Sequence, residues 1–556
     1  MRITTKVIQN NSLNNINTNK LLQDKLSQQM STEKKVNRPS DDPIVAIRAL
    51  RLRTNVNQVT QYYEKNVPDA ESWLEVTESA LSSMSEVITD MIAQCTKGSN
   101  EDFTTSDRET ILTALKALRD EVYSTGNADY AGRYIFTGYR TDTPLTFEKD
   151  TEKKYSITEQ VDNTKIDTVT HVNSLNILDI NESNYLENGT GQGQNDFSIV
   201  SEQSVTQSEV YRIRLSYENI DEFTLGANNN PVPYVGIQIC TGTREVDGVK
   251  ERIFTDMSNV EVDGTDKATY RCASVYDNPY QNIGDNEIVL VKETGEFLLG
   301  KNVYNKLMSL KDKADTPIDE GEIRLSYEKT NWGSNDLRPE HYYACETPKE
   351  GLSLDVNEEE KIKYNKDYLL GISDEDKQTI EYDVGLNQTI RVNTTADEVF
   401  THDISRDVED LVRAMEDSIA MEKQVEKLKK MLEEADPDPN KPDYATIEKQ
   451  LAAAEKALTY LNEKTQKMFE AGITKMQGHL DAVNYAVTEN GTRGQKLELI
   501  SNRLMSQKTN FETLRSENED IDITEVAIKL SSAELTYSSA LMATGKVLQN
   551  SLMNFI

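Results

Sequence analysis

Cysteine, histidine and tryptophan are scarce in this chain of 556 residues, and each scarcity excludes a class of site. There are four cysteines, four histidines and two tryptophans. No two cysteines are spaced as a CxxC redox or zinc element requires. The spacing favours free thiols, and a single disulfide between Cys240 and Cys272 is the alternative. No run approaches the roughly 20 apolar residues of a membrane-spanning helix, so no membrane insertion is expected.

The chain also lacks recognisable catalytic and metal-binding motifs. Its histidines are far apart in the sequence, and no HExxH element occurs. The glycine-rich stretch 189–193 is not followed by the Lys-Ser/Thr of a phosphate-binding loop. Asp436, Asp438 and Asn440 match only the start of a calcium-binding loop. We therefore predict no catalytic residue, no cofactor and no metal, while a displayed enzymatic or adhesive domain within 141–400 stays open.

Basic residues are few relative to acidic ones. The chain has 61 Lys and Arg against 95 Asp and Glu, a net charge of −34. Acidic residues outnumber basic ones two to one in residues 141–400, whereas residues 1–53 are mildly basic. Because an acidic surface repels phosphate, the composition argues against a nucleic-acid partner.

The periodicity of apolar residues predicts helices at both ends of the chain and strands between them. Apolar residues recur every three or four positions from Leu81 to Cys95 and again from Leu497 onwards. Short alternating runs such as 287–291 predict strands. The predicted fold is α+β and multidomain, with terminal helices paired in a coiled coil or helical bundle. The predicted segments are an inner helical segment (1–42), the first half of a helical rod domain (43–140), an inserted β-rich outer region (141–400), the second half of the rod domain (401–520) and an inner helix (521–556).

Two features suggest further subdivision of these segments. The six residues Ile213–Glu218 recur unchanged at Ile323–Glu328, which predicts two related β modules at about 141–270 and 271–400. Prolines between Asp436 and Pro442 interrupt a charged helical stretch, because proline cannot continue a helix. A helical hairpin over 415–467 follows from that interruption.

The two ends carry apolar stripes that need partners. The N-terminal stripe is sparse and would be marginal as an isolated helix. It consists of Ile8, Ile16, Leu22 and Leu26, and the C-terminal stripe consists of Leu530, Tyr537, Leu541, Leu548, Leu552 and Phe555. Pairing the two ends, and then pairing copies of the chain, satisfies both stripes. We expect residues 1–42 to be disordered in the free monomer.

One short motif has a specific resemblance. Residues 37–43, Asn-Arg-Pro-Ser-Asp-Asp-Pro, precede an Ala- and Arg-rich helix and resemble the N-terminal signature of the flagellin-like family. This form of the motif is similar to flagellar hook-associated protein 3. Residues 1–4, 132–138 and 551–556 resemble the same family, so the resemblance covers about 1–140 and 380–556. In physical terms the motif is a proline-fixed turn whose aspartates can cap the next helix.

The resemblance implies a structural, non-enzymatic subunit that joins the hook to the filament of a bacterial flagellum. It implies export in unfolded form through the flagellar type III apparatus, with a chaperone guarding the chain beforehand. It also implies a ring of copies between hook-associated protein 1 and flagellin. A flagellin-type subunit of the filament body is the alternative. On this ground the candidate assembly residues are the apolar stripes together with Asn37, Arg38, Pro39, Asp41 and Asp42.

Overall fold

The computed structural model describes residues 5–100, 104–186, 200–225, 231–232, 235–246, 249–281, 283–309, 323–349, 360–365, 378–438 and 440–553. The chain divides into two compact units. The terminal unit comprises Met1–Ser72, Glu381–Arg391 and Arg493–Ile556, and the central unit comprises Trp73–Ile380 and Val392–Thr492. The glycine-rich stretch 189–193 lies outside the described residues.

Helices occupy both ends of the chain, and three short ones lie within the middle. Their bounds are α1 (Thr5–Thr32), α2 (Pro43–Gln61), α3 (Val67–Gly98), α4 (Thr105–Thr125), α5 (Leu175–Leu178), α6 (Lys301–Met308), α7 (Ala396–Val399), α8 (His402–Glu434), α9 (Pro442–Glu519) and α10 (Ile523–Met553). A π-helical turn, Tyr62–Asn66, separates α2 from α3. The interruption between α8 and α9 falls at the proline-rich stretch, since proline lacks the backbone N–H that a helix interior needs.

The strands of the middle region are mostly short. They are β1 (Asp129–Tyr130), β2 (Arg133–Tyr134), β3 (Thr151–Val161), β4 (Ile166–Val172), β5 (Gln207–Arg214), β6 (Thr224–Leu225), β7 (Pro231–Val232), β8 (Gly236–Val246), β9 (Val249–Asp256), β10 (Glu261–Asp263), β11 (Asp266–Lys267), β12 (Thr269–Ala273), β13 (Glu287–Val291), β14 (Glu296–Leu299), β15 (Ile323–Trp332), β16 (Ala344–Pro348), β17 (Lys361–Tyr364), β18 (Glu381–Gly385) and β19 (Gln388–Arg391). Helices at the ends and strands between them confirm the predicted α+β class.

Two larger sheets organise the central unit, and their topology corrects the prediction of tandem modules. One sheet has the order β12-β13-β14-β5-β4 and the other β17-β16-β3-β15-β8-β9. β15 pairs antiparallel with both β3 and β8, and β14 pairs antiparallel with β5. Each sheet therefore combines strands from both sides of residue 270. The division into 141–270 and 271–400 is wrong because these strands find their hydrogen-bonding partners across that boundary.

The repeated six-residue segment has a packing explanation. Its first copy begins with the last two residues of β5 and continues beyond that strand, whereas its second copy lies within β15 of the other sheet. Alternate residues of both copies enter one hydrophobic core. These residues are Ile213, Leu215 and Tyr217 from the first copy and Ile323, Leu325 and Tyr327 from the second. The repeat thus reflects two segments, one in a strand and one mostly beyond the end of a strand, that bury the same Ile-x-Leu-x-Tyr pattern in one core.

Apolar seams hold the helices of the central unit. Leu81, Met84, Ile88, Met91 and Cys95 of α3 are completely buried, which matches their spacing of three and four residues. Farther along, α8 and α9 bury a second cluster with residues that flank α5. All four cysteines are free thiols, which leaves the Cys240–Cys272 disulfide unformed.

Candidate assembly surfaces

The terminal unit pairs the first helix of the chain with the last. Leu26 of α1 is buried against Val526 and Ala533 of α10, and Ile521 and Leu530 pack around them. The end of α1 lies beside the start of α10, so the two helices run antiparallel. The buried cluster is small, because the stripe of α1 is sparse. The pairing therefore depends on additional polar contacts.

Backbone hydrogen bonds supply part of this support. The Lys35 N–H donates to the Glu519 carbonyl at 2.7 Å, and the Ile521 N–H donates to the Glu33 carbonyl at 3.1 Å. Glu33 directly follows α1 and has a φ of 58°, in the left-handed region. A residue in this conformation reverses the chain after a helix. We call the paired segments 33–35 and 519–521 the clasp.

A buried carboxylate ties the clasp to α2. The Glu519 side chain accepts hydrogen bonds from Arg53 Nε and Nη2 at 2.7 and 2.6 Å, and Lys34 Nζ lies 3.8 Å away. Lys34 also forms a hydrogen-bonded ion pair with Asp520, and the hydrogen bond lowers the pKa of the Asp520 carboxyl. The sequence alone does not identify Lys34, Arg53 and Glu519 as contact residues. Nothing local marks them, since each is a charged residue in a helical or turn context.

The motif at residues 37–43 forms a turn followed by a capped helix. The Asp41 N–H donates to the Arg38 carbonyl at 2.9 Å, and the Arg38 N–H donates to the Asp41 carboxylate at 3.1 Å. Asp42 is the N-cap of α2, and its Oδ1 accepts from the N–H groups of Ile44 and Val45 at 3.0 and 3.1 Å. Pro43 stands at the first position of α2, where its missing N–H costs nothing.

The helices of the terminal unit expose large apolar side chains. They include Val7, Leu13, Leu21, Leu22 and Met30 on α1, Ile44, Ile47 and Leu50 on α2, Leu499, Met505 and Leu514 on α9, and Ile523, Ile528, Leu535, Leu541 and Met542 on α10. Leu21 and Leu535 are 70% and 71% exposed. Exposed side chains of this kind are available for contacts with other chains.

The predicted assembly residues differ in burial. Leu26 is buried; Ile16, Asp42, Leu530 and Tyr537 are half-buried; and Leu22, Asn37, Arg38, Pro39, Asp41 and Leu541 are exposed. The side chains of Ile8, Leu548 and Leu552, and all of Phe555, lie outside the described residues. α1 and α10 bring Leu26 and Leu530 together. The exposed residues have space for a further chain.

Three histidines of the central unit are shielded from water. Burial lowers the pKa of His402 to about 3 and the pKa values of His171 and His341 to about 4. No group of three or more His, Cys, Asp or Glu side chains among the described residues could hold a metal ion. No described helix is long and apolar enough to cross a membrane.

Parts of this chain are similar to proteins named as flagellar. Residues 3–141 match the family model of the bacterial flagellin N-terminal helical region. Flagellar hook-associated protein 3 of Salmonella typhimurium is 32% identical over 176 residues, which cover 31% of this chain and 55% of that protein. A flagellin of Clostridium tyrobutyricum is 28% identical over 122 residues, 22% of this chain and 32% of that protein.

The solved structures that align with this chain do so at low TM-scores. A flagellar hook-associated protein from Vibrio parahaemolyticus aligns over 86% of this chain and 100% of its own, with 12% identity and a TM-score of 0.31. The predicted resemblance to flagellar hook-associated protein 3 is confirmed by the sequence comparison. This chain spans about half the length of the curated relatives it matches.

Proposed function

We propose that this chain is a non-enzymatic structural subunit joining the flagellar hook to the flagellin filament, since residues 3–141 match the family model of the bacterial flagellin N-terminal helical region. The observation that carries the proposal is the set of exposed apolar side chains on α1, α2 and α10. A leucine moved from water into an interface stabilises it by about 1.5–3 kcal/mol. Several such residues on each copy can hold a closed ring of subunits together.

The proposed partners follow from this role. Hook-associated protein 1 would lie on the hook side, flagellin on the filament side, and further copies of the chain beside it in the ring. Before assembly the chain would be held by a flagellar chaperone and exported through the type III apparatus. Its final location would be the extracellular hook–filament junction. The flagellin-like N-terminal region and the similarity to hook-associated protein 3 support these assignments.

Deletion of the gene in its native host tests the proposal. We expect hooks without filaments in electron micrographs and monomeric flagellin in the medium. Reintroducing the full chain should restore filaments, whereas a chain lacking residues 1–42 or 521–556 should not. Normal filaments in the deletion strain, or restoration by either truncated chain, would contradict the junction role.

A filament subunit is the second candidate, favoured by the similarity to a flagellin. The two roles differ in copy number, because a filament contains very many copies and a junction about one ring. Quantitative immunoblotting of purified flagella separates them. A copy number comparable to flagellin would replace the junction proposal with the filament one.

A further inference from the structure

Glu519 is the residue at which the clasp, α9 and α2 meet. It is the last residue of α9, and its side chain is 6% exposed. Its backbone carbonyl accepts the Lys35 N–H, whereas its carboxylate accepts Nε–H and Nη2–H of Arg53 on α2. Glu519 therefore holds the segment after α1 with its main chain and α2 with its side chain.

The buried carboxylate of Glu519 depends on these partners. A charge that is removed from water costs much free energy unless it is paired and hydrogen-bonded. Arg53 supplies two parallel N–H donors to the two carboxylate oxygens, which is the strongest form of such a pair. Lys34 of the clasp adds a second positive charge at 3.8 Å. Glu519 thus loses part of its charge compensation if either α2 or the clasp moves away.

A second contact holds α2 closer to its beginning. Asn518 Nδ2 donates to the Val45 carbonyl, in the first turn of α2, at 3.2 Å. Arg53 lies more than two helical turns farther along α2. Because α2 is attached at both places to the residues directly before Asp520, its rotation about its own axis is restricted. The orientation of its exposed Leu50 is restricted with it.

Apolar packing between the first and last helices adds little to this arrangement. Among the described residues, the buried cluster of this pair contains Leu26, Val526 and Ala533. The polar partners of Lys35 and Arg53 come from the segment 518–521, close to the other end of the chain. α2 therefore receives these hydrogen bonds only when the last part of the chain has reached the first.

We propose that Glu519 couples the closing of the clasp to the position of α2, so that α2 presents its exposed apolar side chains in a fixed orientation only when the two ends of the chain are joined. Arg53 and Glu519 are then positioning residues that act through α2. The coupling is a property of the single chain. Its consequence for assembly rests on the proposed junction role, which gives the exposed side chains of α2 a partner.

Amide hydrogen exchange of the full chain measures the coupling. Glu519→Gln keeps the shape of the side chain but removes its charge. We expect exchange at least about tenfold faster than in the natural chain both in residues 33–35 and in α2, with α3 unchanged. Glu534→Gln is the matched control, because Glu534 is an exposed carboxylate of α10 outside the clasp, and it should change neither segment. Circular dichroism checks that both variants are folded.

The outcomes of this measurement are distinct. Faster exchange in only one of the two segments, or an equal effect of Glu534→Gln, would overturn the coupling. Exchange of α2 in the natural chain at the rate of an unfolded peptide would also overturn it, since the clasp would then not hold α2.

A double-mutant cycle tests whether Arg53 and Glu519 act as a pair. Arg53→Gln alone should speed the exchange of α2 by about the same factor as Glu519→Gln. The double variant should exceed either single variant by no more than about twofold, because the second change removes nothing that the first has left. Multiplication of the two factors would show that the residues act independently and would refute the pair as the coupling element.

Complementation of the deletion strain separates the coupling from the proposed function. Cells that express the Glu519→Gln or Arg53→Gln chain at the normal level should carry fewer filaments than cells with the natural chain or with Glu534→Gln. Normal filament numbers despite faster exchange of α2 would refute the consequence for assembly. If the deletion strain itself makes normal filaments, the junction role fails, whereas the exchange of the purified chain still decides the coupling.

Discussion

At the scale of the residue, the clasp depends on a backbone conformation that its side chain disfavours. Glu33 has a φ of 58°, and a left-handed conformation costs a residue with a Cβ roughly 1–2 kcal/mol. Glycine is the usual residue at this position after a helix, because it has no Cβ. The Glu33 carbonyl nevertheless accepts the hydrogen bond from Ile521, so the conformation is retained.

We expect Glu33→Gly to stabilise the terminal unit. The relief of backbone strain exceeds the entropy that glycine adds to the unfolded chain, leaving a gain of about 0.5–1 kcal/mol. Urea unfolding followed by circular dichroism measures this difference. Glu33→Ala removes the same charge but keeps the Cβ, so its stability should stay near that of the natural chain. A stabilisation by alanine equal to that by glycine would show that charge, and not φ, is responsible.

The residues of the clasp also show what local sequence reveals and what it does not. Asp42 could be predicted as a cap, because capping depends on neighbours two or three positions away. The ion pair between Arg53 and Glu519 joins residues 466 positions apart. No short-range pattern encodes such a pair, because nothing near either residue in the sequence distinguishes it from the other arginines and glutamates of the chain. Only the three-dimensional structure shows that these two side chains are partners.

At the level of helices and strands, the sequence indicates which face of a helix is buried. It does not indicate which strands pair with each other. The seam of α3 repeats every three or four residues, so its buried face follows from geometry alone. Alternation predicted the strand at 287–291, which is β13, but the sequence did not reveal which strands pair with one another. β15 pairs with β3, which lies more than a hundred residues earlier in the chain. Such long-range pairing explains why the prediction of two tandem modules failed.

Replacing either of two leucines on helices of the terminal unit by alanine should have different effects on stability. Leu504 of α9 is 2% exposed, so Leu504→Ala should cost about 2–5 kcal/mol of unfolding free energy. Leu50 of α2 is 61% exposed, so Leu50→Ala should change stability by less than about 0.5 kcal/mol. If α2 faces another subunit, Leu50→Ala should still reduce filament formation.

Thermal unfolding of the purified variants and filament counts on cells carrying them measure these two effects separately. Leu50→Ala with normal stability and fewer filaments would support an assembly role for this face of α2. If the Leu50→Ala protein is expressed at the normal level and the cells carry a normal number of filaments, the exposed face of α2 is not an interface.

At the scale of the whole molecule, buried histidines make the central unit sensitive to acid. Burial lowers the pKa of His402 to about 3, where the ring lies among Tyr217, Tyr342 and Tyr343. The unfolded chain therefore binds protons first as the pH falls below about 6.5. The contribution of His402 to stability is complete above this pH and is lost progressively towards pH 3, by up to about 1.4 kcal/mol per pH unit.

The variant His402→Asn isolates this contribution, since asparagine can keep the polar contact to Tyr343 but does not titrate. Its stability should fall less steeply than that of the natural chain between pH 6.5 and about 3. Comparing slopes is necessary because burial raises the pKa of Glu159, which acts in the opposite direction. Parallel pH profiles of urea unfolding in the two proteins would contradict the role of His402.

The state of the chain before assembly is the last property to test. α1 buries Leu26 against α10, but most of its large apolar side chains are exposed, and an isolated helix of this kind is marginal in water. We therefore expect the amides of residues 5–32 to exchange rapidly in the free subunit and slowly in assembled flagella, while α3 is protected in both. Hydrogen exchange with mass spectrometry reports each segment. Strong protection of residues 5–32 in the monomer would mean that the clasp and Leu26 suffice to order the first helix, and that assembly uses a helix already formed.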